Sequence, residues 1–313
     1  MAKSIEDIRA AREAWRITLA GIAEKDGFFK ELSDRHKAIY IPQKDEAGKT
    51  LVVVFDNLDD VRQDSDRLPW AVDFISAQGW SALGFMAHGP TWYRDDKVLD
   101  FFDELRDDGF FDKFDRVVFY GTSMGGYAAA AFSAVVPGAT VVAINPQATL
   151  DRQVTNWERR YRPAWRYNYT GRYGYAPEMV KSAEKMWLFY DSHGVADSMH
   201  ASLFQGDNIT KVRCPFMGHG MLTVWREIGV LKAVVSGCIN DTITKHEIHK
   251  LMRGRNKVPK YQKAVMTHLV ETNRHQLIVR YCDAVVAQRT APHFANAAAR
   301  ARKTLGWPEK TKK

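Results

Sequence analysis

One stretch of sequence decides the fold of this chain, and it runs Val117-Val118-Phe119-Tyr120-Gly121-Thr122-Ser123-Met124-Gly125-Gly126-Tyr127-Ala128-Ala129-Ala130-Ala131. Four residues that favour β-strands lead into the pattern Gly-x-Ser-x-Gly, and small residues that favour a helix follow. The pattern predicts a sharp strand-to-helix turn with Ser123 at its apex, where the glycines let the strand and the helix pack closely. Ser123 is therefore a candidate nucleophile, placed beside helix N–H groups that can stabilise an oxyanion.

The bare Gly-x-Ser-x-Gly pattern is a weak signal. Glycine and serine are common enough for it to arise by chance in about one of ten chains of this length. In those chains it marks an ordinary serine between turn glycines. Here the interpretation depends on the preceding strand, the following helix and the candidate partners downstream.

Segments on both sides of this stretch alternate between strand and helix patterns. The other predicted strands are Ala38–Ile41, Leu51–Phe55, Trp80–Ala87, Thr140–Ile144, Met186–Tyr190 and Val212–Met217, and the predicted helices include Ser4–Glu24, Leu68–Gln78, Asp96–Asp107 and Met221–Cys238. Continuous apolar strands separated by helices predict an α/β fold with a doubly wound, mostly parallel sheet. Ligands of such sheets bind at the carboxyl ends of the strands.

Two loops at that edge carry candidate binding residues. Asp56-Asn57-Leu58 follows a buried strand, so a backbone N–H of Asn57 or Leu58 is a candidate oxyanion donor beside that of Met124. The alternative is that this segment only forms a turn. Trp92, Tyr93 and Arg94 follow the next strand and are candidates for substrate binding, although aromatic residues after a strand also belong to the core.

Residues 148–183 are predicted to form a lid inserted between two strands. From Asp151 to Tyr175, arginines alternate with tyrosines and tryptophans without a helix or strand period. Guanidinium groups bind carboxylate, phosphate or sulfate, and aromatic faces stack on sugar rings. Arg159, Arg162 and Trp165 are therefore candidate substrate-binding residues. Stacking for stability alone, or nucleic-acid binding, would use the same residue types.

Two later loops supply an acid and a base. Asp191-Ser192-His193-Gly194-Val195-Ala196-Asp197 follows one predicted strand, and Gly218-His219-Gly220 follows the last one. Parallel strands would bring these loops to the edge that carries Ser123, in the chain order Ser, Asp, His. The spacing of the His and Asp residues in the first loop matches no common metal-ligand pattern, so no metal site is predicted.

The elbow around Ser123, the segment Gly194–Asp197 and Gly218-His219-Gly220 together resemble the α/β-hydrolase superfamily, in particular its serine esterases. The resemblance covers about residues 38–239. It implies a sheet of about eight strands with flanking helices, a late cap and a serine triad. It also implies that Ser123 is the nucleophile, Met124 an oxyanion donor, His219 the base and Asp197 the acid. Asp191 is the alternative acid, because it follows the strand directly.

The domain prediction is a hydrolase domain over residues 1–239 and a basic helical extension over residues 240–313. The extension contains 16 Lys and Arg against 5 Asp and Glu, whereas the whole chain has a net charge of +8. A solvated surface, a docking face for an acidic partner and a contact with a second copy of the chain are alternative roles for it. Nucleic acid is not the favoured partner.

Composition excludes several classes of protein. We expect no transmembrane span, because no apolar run reaches the roughly 20 residues that a membrane helix needs. The charged amphipathic start differs from a signal peptide, so a cytoplasmic location is expected. Cys214, Cys238 and Cys282 have no paired spacing, which favours reduced thiols over disulfides or a zinc site.

The predicted function is serine hydrolysis of a carboxylic ester or thioester through an acyl-enzyme, without a cofactor. The arginine-rich segment suggests an anionic or carbohydrate-linked small-molecule substrate. Two alternatives remain. An acyltransferase would use the same triad, and a non-catalytic protein of this fold would bind an acidic partner or nucleic acid through its C-terminal helices.

Overall fold

The computed structural model describes residues 5–23, 27–43, 49–58 and 68–308 of the 313-residue chain. These residues form two compact units. The first extends to Arg213 and also includes Val235–Thr242, whereas the second consists of Cys214–Val234 and Ile243–Lys313 as far as they are described. The predicted extension beginning at residue 240 therefore lies mostly in the second unit, which also takes in a segment of the predicted hydrolase domain.

The first unit contains one eight-stranded sheet with the strand order β1-β2-β4-β3-β5-β6-β7-β8. The strands are β1 (Phe28–Ser33), β2 (His36–Ile41), β3 (Thr50–Phe55), β4 (Ser81–Ala87), β5 (Arg116–Thr122), β6 (Thr140–Ile144), β7 (Lys185–Tyr190) and β8 (Ile209–Arg213). β2 pairs antiparallel with β1 and with β4, and the remaining neighbours are parallel. The predicted mostly parallel sheet is confirmed.

Helices flank this sheet and also build most of the second unit. They are α1 (Ile5–Ala23), α2 (Val72–Ser76), α3 (Asp96–Asp107), α4 (Met124–Phe132), α5 (Arg152–Thr155), α6 (Ala176–Met179), α7 (Val195–Leu203), α8 (Met221–Glu227), α9 (Leu231–Ile239), α10 (Lys245–Leu251), α11 (Pro259–Glu271), α12 (His275–Gln288) and α13 (Pro292–Leu305). Ser4 and Glu24, the two ends of the predicted first helix, lie outside the described residues. Among the helices described, none is long and apolar enough to span a membrane.

Three predicted elements differ in the structure. The last strand ends at Arg213 instead of Met217, because Pro215 has no N–H for a ladder and Phe216 has a φ of 63°. The single helix expected after Gly220 is two helices, α8 and α9, separated by a turn in which Gly229 has a φ of 71°. The helix expected from Leu68 is reduced to the five residues of α2, preceded by Ala71 with a φ of 64°.

The core of the second unit lies largely between α12 and α13. Apolar side chains recur there at helical spacing, and the buried set comprises Ile278, Val279, Cys282, Val285, Phe294, Ala297, Ala298 and Ala301. The small alanine side chains of α13 allow the two helix backbones to approach closely. This packing explains why both helices are present although their outer surfaces are strongly polar.

A buried histidine network in the first unit fixes the loop after β4. His36 on β2 contacts the Asp95 carboxylate through Nδ1 at 3.2 Å and the Thr91 hydroxyl through Nε2 at 2.8 Å. Thr91 in turn accepts a hydrogen bond from the backbone N–H of Tyr93 at 3.2 Å. Burial lowers the pKa of His36 to about 4, although Asp95 acts in the opposite direction. His36 is therefore neutral at physiological pH.

The depressed pKa of His36 makes folding stability depend on pH. The unfolded chain binds a proton at this histidine between pH 6.5 and 4 and the folded chain does not, so stability falls as pH falls through that range. The contribution reaches about 3 kcal/mol by pH 4. We expect urea unfolding of the wild type to show this loss of stability. In His36→Gln, the slope of the free energy of unfolding against pH should be smaller between pH 6 and 5, by the equivalent of about one bound proton. An unchanged slope in the variant would contradict the assignment.

Candidate active site

Ser123 lies on the turn between β5 and α4 in a conformation that non-glycine residues rarely adopt, with φ 52° and ψ −120°. Its N–H donates to the Ile144 carbonyl at 2.9 Å, which ties the turn to β6. A Cβ on Gly121 would lie 2.1 Å from the carbonyl oxygen of Gly125, and a Cβ on Gly125 would lie 2.6 Å from that of Phe55. These two glycines are therefore required by the close approach of strand and helix.

Nine non-glycine residues in the described part of the chain have a positive φ, and four of them lie at the carboxyl edge of the sheet. Besides Ser123, the non-glycine residues Trp92, Tyr93 and Asn145 have φ values of 47°, 55° and 45°, and they follow β4 and β6. Conformations of this kind cost of order 1–3 kcal/mol each and cluster at functional sites. Strained backbone is therefore one feature of the edge at which the sequence predicts the site.

The predicted oxyanion residues lie at two strand ends. Met124 is the first residue of α4, where backbone N–H groups have no acceptor within the helix. Asn57 is buried directly after β3, and Leu58 packs against the core. The preceding Asp56 has a structural role, because its carboxylate accepts the N–H of Ala87 at 3.0 Å and that of Trp70 at 3.2 Å.

Trp92, Tyr93 and Arg94 have well-defined contacts in the structure. The indole N–H of Trp92 donates to Gln147 at 3.0 Å. The hydroxyl of Tyr93 is directed to the carbonyl of Asp56 at 3.0 Å, inside the core. Arg94 donates through Nε to the carbonyl of Asn168 at 2.8 Å and through Nη2 to that of Arg172 at 2.6 Å. These contacts hold the loop against the segment between β6 and β7, and substrate binding by the three residues stays a prediction.

The β6–β7 insert, residues 145–184, contains the predicted arginine-aromatic segment. Arg162 and Arg152 lie over the Trp165 ring, with 5.9 and 5.3 Å from guanidinium carbon to ring centre. The indole nitrogen of Trp165 is buried and has no hydrogen-bond partner among the described residues. Arg159 is exposed. The insert therefore presents guanidinium groups stacked on aromatic rings at its surface.

A charge cluster of Glu158, Arg160, Asp197 and His200 ties the insert to α7, and all of its members except Arg160 are buried. Arg160 donates to both carboxylates, at 2.6 Å to Glu158 and at 2.8 Å to Asp197. Burial alone would raise the pKa of Glu158, but hydrogen bonds from His200 and Arg160 outweigh that effect and lower it to about 2. No local sequence pattern marks this cluster, because its members become neighbours only when the insert packs on α7.

His200 completes the cluster as a neutral donor. Its Nδ1 accepts the backbone N–H of Ala148 at 3.2 Å, so the ring proton lies on Nε2, 3.1 Å from Glu158. Burial lowers the pKa of His200, although Glu158 acts in the opposite direction. With His200 neutral, one cation lies between two carboxylates, and the cluster retains a net charge of −1.

Both candidate acids are buried after β7. Asp197 lies in the first turn of α7, and its Oδ1 accepts a hydrogen bond from the Arg160 guanidinium group. Asp191 follows β7 directly, and its Oδ1 accepts the N–H of His193 at 2.8 Å within its own loop. The Asp191 N–H donates to the side chain of Asn145 at 3.2 Å. The first unit therefore contains Ser123 and both aspartates.

His219 belongs to the second unit. It lies between Gly218, which has a φ of 73°, and Gly220, which precedes α8. The histidine is partly buried at this bend. Its role as the base stays a prediction.

Tyr161 is a site residue that sequence reasoning did not single out. Burial raises the pKa of its hydroxyl, although the charge of Arg160 and the side chain of Ser123 act in the opposite direction. Its ring lies 5.0 Å from that of Trp92 and 5.2 Å from the guanidinium carbon of Arg160. In the sequence it is one of many aromatics in the insert, and no local signal sets it apart.

The sheet order, the strained serine turn and the insert after β6 define an α/β-hydrolase fold. A family model described as "Alpha/beta hydrolase family" matches residues 53–289, about three quarters of the chain. The chain belongs to this family.

Several solved structures of other proteins have a weak similarity to this chain. A capsule O-acetyltransferase of Neisseria meningitidis serogroup A is 11% identical, with a TM-score of 0.42 over 66% of this chain and 93% of that one. A Pyrococcus furiosus esterase is 17% identical, with a TM-score of 0.40 over 69% and 91%. A Pyrobaculum calidifontis esterase is 12% identical, with a TM-score of 0.44 over 76% and 94%. No curated protein matches the sequence.

Proposed function

We propose that this protein is a serine hydrolase that cleaves a carboxylic ester or thioester. The observation that carries the proposal is the backbone of Ser123, with its φ of 52° on a turn packed through Gly121 and Gly125. Such strain persists only where the surrounding structure imposes it, and it presents a serine hydroxyl beside the N–H groups of a helix start.

In the proposed mechanism, the Ser123 oxygen attacks the carbonyl carbon while His219 takes the hydroxyl proton. The N–H of Met124 and one from Asn57 or Leu58 stabilise the oxyanion. His219 then gives the proton to the leaving alcohol or thiol, which leaves an acyl group on Ser123. Water, activated by His219, releases the acid and restores the serine.

Asp197 is the proposed acid. Its charge cluster retains one negative charge after Arg160 is shared between two carboxylates, which favours a protonated imidazole nearby. Asp191 is the alternative, because it follows β7 directly and its carboxylate accepts the backbone N–H of His193.

The surface of the insert favours a substrate with an anionic portion. Arg152, Arg159, Arg162 and Arg166 are exposed, and within the described part of the chain none of these four groups pairs with a carboxylate. Arginines stacked on aromatic rings bind carboxylates, phosphates or acidic sugars through both charge and ring contact. We therefore propose an acidic or saccharide-linked ester as the substrate.

A panel of paired esters tests this function. Each pair has the same leaving group and differs only by one carboxylate. We expect hydrolysis of both members, with kcat/KM about fivefold higher for the anionic one at low salt, since an exposed ion pair contributes up to about 1 kcal/mol. The double variant Arg159→Gln, Arg162→Gln should lose this preference, whereas Arg280→Gln, Arg300→Gln should keep it. Hydrolysis without any preference would contradict the anionic substrate alone.

The same assay separates the two aspartates. Asp197→Asn should lower kcat by several orders of magnitude if it orients His219, because the wrong imidazole tautomer then faces the serine. Asp191→Asn should have the smaller effect. The reverse order would assign the acid to Asp191, and both variants should be checked for folding by circular dichroism.

A further inference from the structure

Arg160 in the insert holds two carboxylates at once. Its Nη1 donates to Oδ1 of Asp197 at 2.8 Å, and its Nη2 donates to Oε2 of Glu158 at 2.6 Å. Its Nε also donates to Glu158 and lies 3.0 Å from each carboxylate oxygen. Three nitrogens of a planar guanidinium group are therefore engaged, which fixes both the position and the plane of that group.

Glu158 is the fixed end of this arrangement. It is fully buried, and its carboxylate accepts the backbone N–H of Arg160 at 2.9 Å and the Nε2 proton of His200 at 3.1 Å. An ionised carboxylate in such a position is stable only while a cation and hydrogen-bond donors compensate its charge. Glu158 therefore holds the guanidinium group of Arg160 in place beside Asp197.

The charge cluster joins two segments of the first unit. Glu158 and Arg160 belong to the insert, whereas Asp197 and His200 lie on α7. His200 also accepts the backbone N–H of Ala148, near the start of the insert, at 3.2 Å. The insert therefore reaches the Asp197 carboxylate through Arg160, and the orientation of that carboxylate depends on the position of the insert.

The contacts of Arg160 favour a role in the site over binding of an anionic substrate. About a third of its side chain is exposed, whereas the Asp197 side chain is only 4% exposed. Two carboxylates already share the single positive charge of Arg160, so a third carboxylate, from a substrate, would be repelled. Its guanidinium group thus acts on Asp197 and not on a ligand in solution.

The orientation of the acid matters in a serine triad. The acid holds the imidazole in the tautomer that accepts the serine proton, and this requires a carboxylate oxygen at a fixed position. An aspartate side chain rotates about two torsions, whereas a hydrogen bond to a fixed guanidinium group retains one orientation. A misplacement of about 1 Å at a reaction centre can lower a rate by about 100-fold.

We infer that Arg160 is a positioning residue that fixes the Asp197 carboxylate for catalysis, so that the insert supplies part of the catalytic apparatus. This inference rests on the proposed hydrolase function with Asp197 as the acid. Arg160 keeps its charge throughout the reaction and acts on the reacting atoms only through Asp197.

Arg160→Met and the double variant Glu158→Gln, Arg160→Met test this role in the full-length chain. With an uncharged ester, we expect kcat to fall by about 100-fold in both, with a change in KM below about threefold, because Asp197 loses its fixed donor. The double variant leaves no unpaired carboxylate at position 158. It therefore separates the positioning of Asp197 from the neutralisation of Glu158, and circular dichroism checks that each variant folds.

The matched control is Arg106→Met. Arg106 also bridges two carboxylates, those of Asp103 at 2.8 Å and Asp107 at 2.9 Å, but it does so at the surface of α3. Its replacement should leave kcat within about twofold of the wild type.

Rescue by free guanidinium gives a second readout. In Arg160→Ala the cation can occupy the space of the lost side chain, so millimolar guanidinium chloride should raise kcat by about tenfold, the equivalent of one charge-assisted hydrogen bond. Sodium chloride at the same ionic strength should not raise it, and guanidinium should not activate the wild type.

The outcomes separate this role from the proposed function. If the wild type hydrolyses ester and the double variant retains kcat within threefold, Arg160 only neutralises Glu158 and the inference is wrong. A rise in KM without a fall in kcat, a folded Arg160→Ala variant that guanidinium does not activate, or assignment of the acid to Asp191 would also overturn it. A folded wild type that neither hydrolyses any ester nor reacts with a fluorophosphonate would overturn the proposed function itself.

Discussion

Replacing Ser123 by alanine is expected to lower ester turnover by a factor on the order of 10⁴ or more. The loss is large because alanine cannot form the acyl-enzyme, and water alone would have to attack the carbonyl. Folding should be almost unaffected. The conformational free-energy cost of a φ of 52° is similar for alanine and serine, and the Ser123 side chain makes no cap hydrogen bond to α4. Turnover and thermal unfolding of the purified variant check both parts.

The matched control for this change is Ser202→Ala. Ser202 is an exposed serine on α7 whose hydroxyl donates to the Met199 carbonyl at 2.7 Å. Its replacement should leave turnover within about twofold, as is usual for surface substitutions away from a site. A folded Ser123→Ala protein with wild-type turnover would contradict the assignment of the nucleophile.

Gly121→Ala is expected to destabilise the protein by more than about 4 kcal/mol or to prevent folding. The added methyl group would lie 2.1 Å from the carbonyl oxygen of Gly125, well inside van der Waals contact. That oxygen belongs to the backbone of α4, so relief requires the helix to move away from β5. Urea unfolding and soluble yield measure the effect.

Gly21→Ala gives the matched comparison for the same chemical change. An added Cβ at Gly21 meets no described atom within 4 Å, and alanine favours a helix such as α1 by about 1 kcal/mol over glycine. We expect this variant to be as stable as the wild type or slightly more stable. Equal stability of Gly121→Ala and the wild type would contradict the close packing of β5 and α4.

Much of the sheet could be predicted because its pattern is local. The continuous apolar run of β6 and the apolar periodicity of α3 are read directly from the residues, and both elements have their predicted bounds. β1, with the sequence Phe-Phe-Lys-Glu-Leu-Ser, was not predicted. It is partly exposed and has no β-branched residue, so its sequence does not indicate a strand. Only its pairing with β2 identifies it as one.

The candidate site was harder to predict from the sequence than the sheet was. The pattern around Ser123 identifies a turn because the glycine requirement is local. The packing of Tyr161 on Trp92 and the bridge from Arg160 to Asp197 join residues far apart in the chain. Tertiary packing decides those contacts, and the many arginines and tyrosines of the insert have similar sequence surroundings.

The central claim, that Ser123 is an activated nucleophile, is tested most directly by reaction with a fluorophosphonate followed by mass spectrometry. We expect a single adduct on the peptide that contains Ser123 in the wild type. Labelling of His219→Ala should be slower, and Ser123→Ala should not be labelled. A folded wild-type protein that forms no adduct, or forms one only at another residue, would contradict the claim.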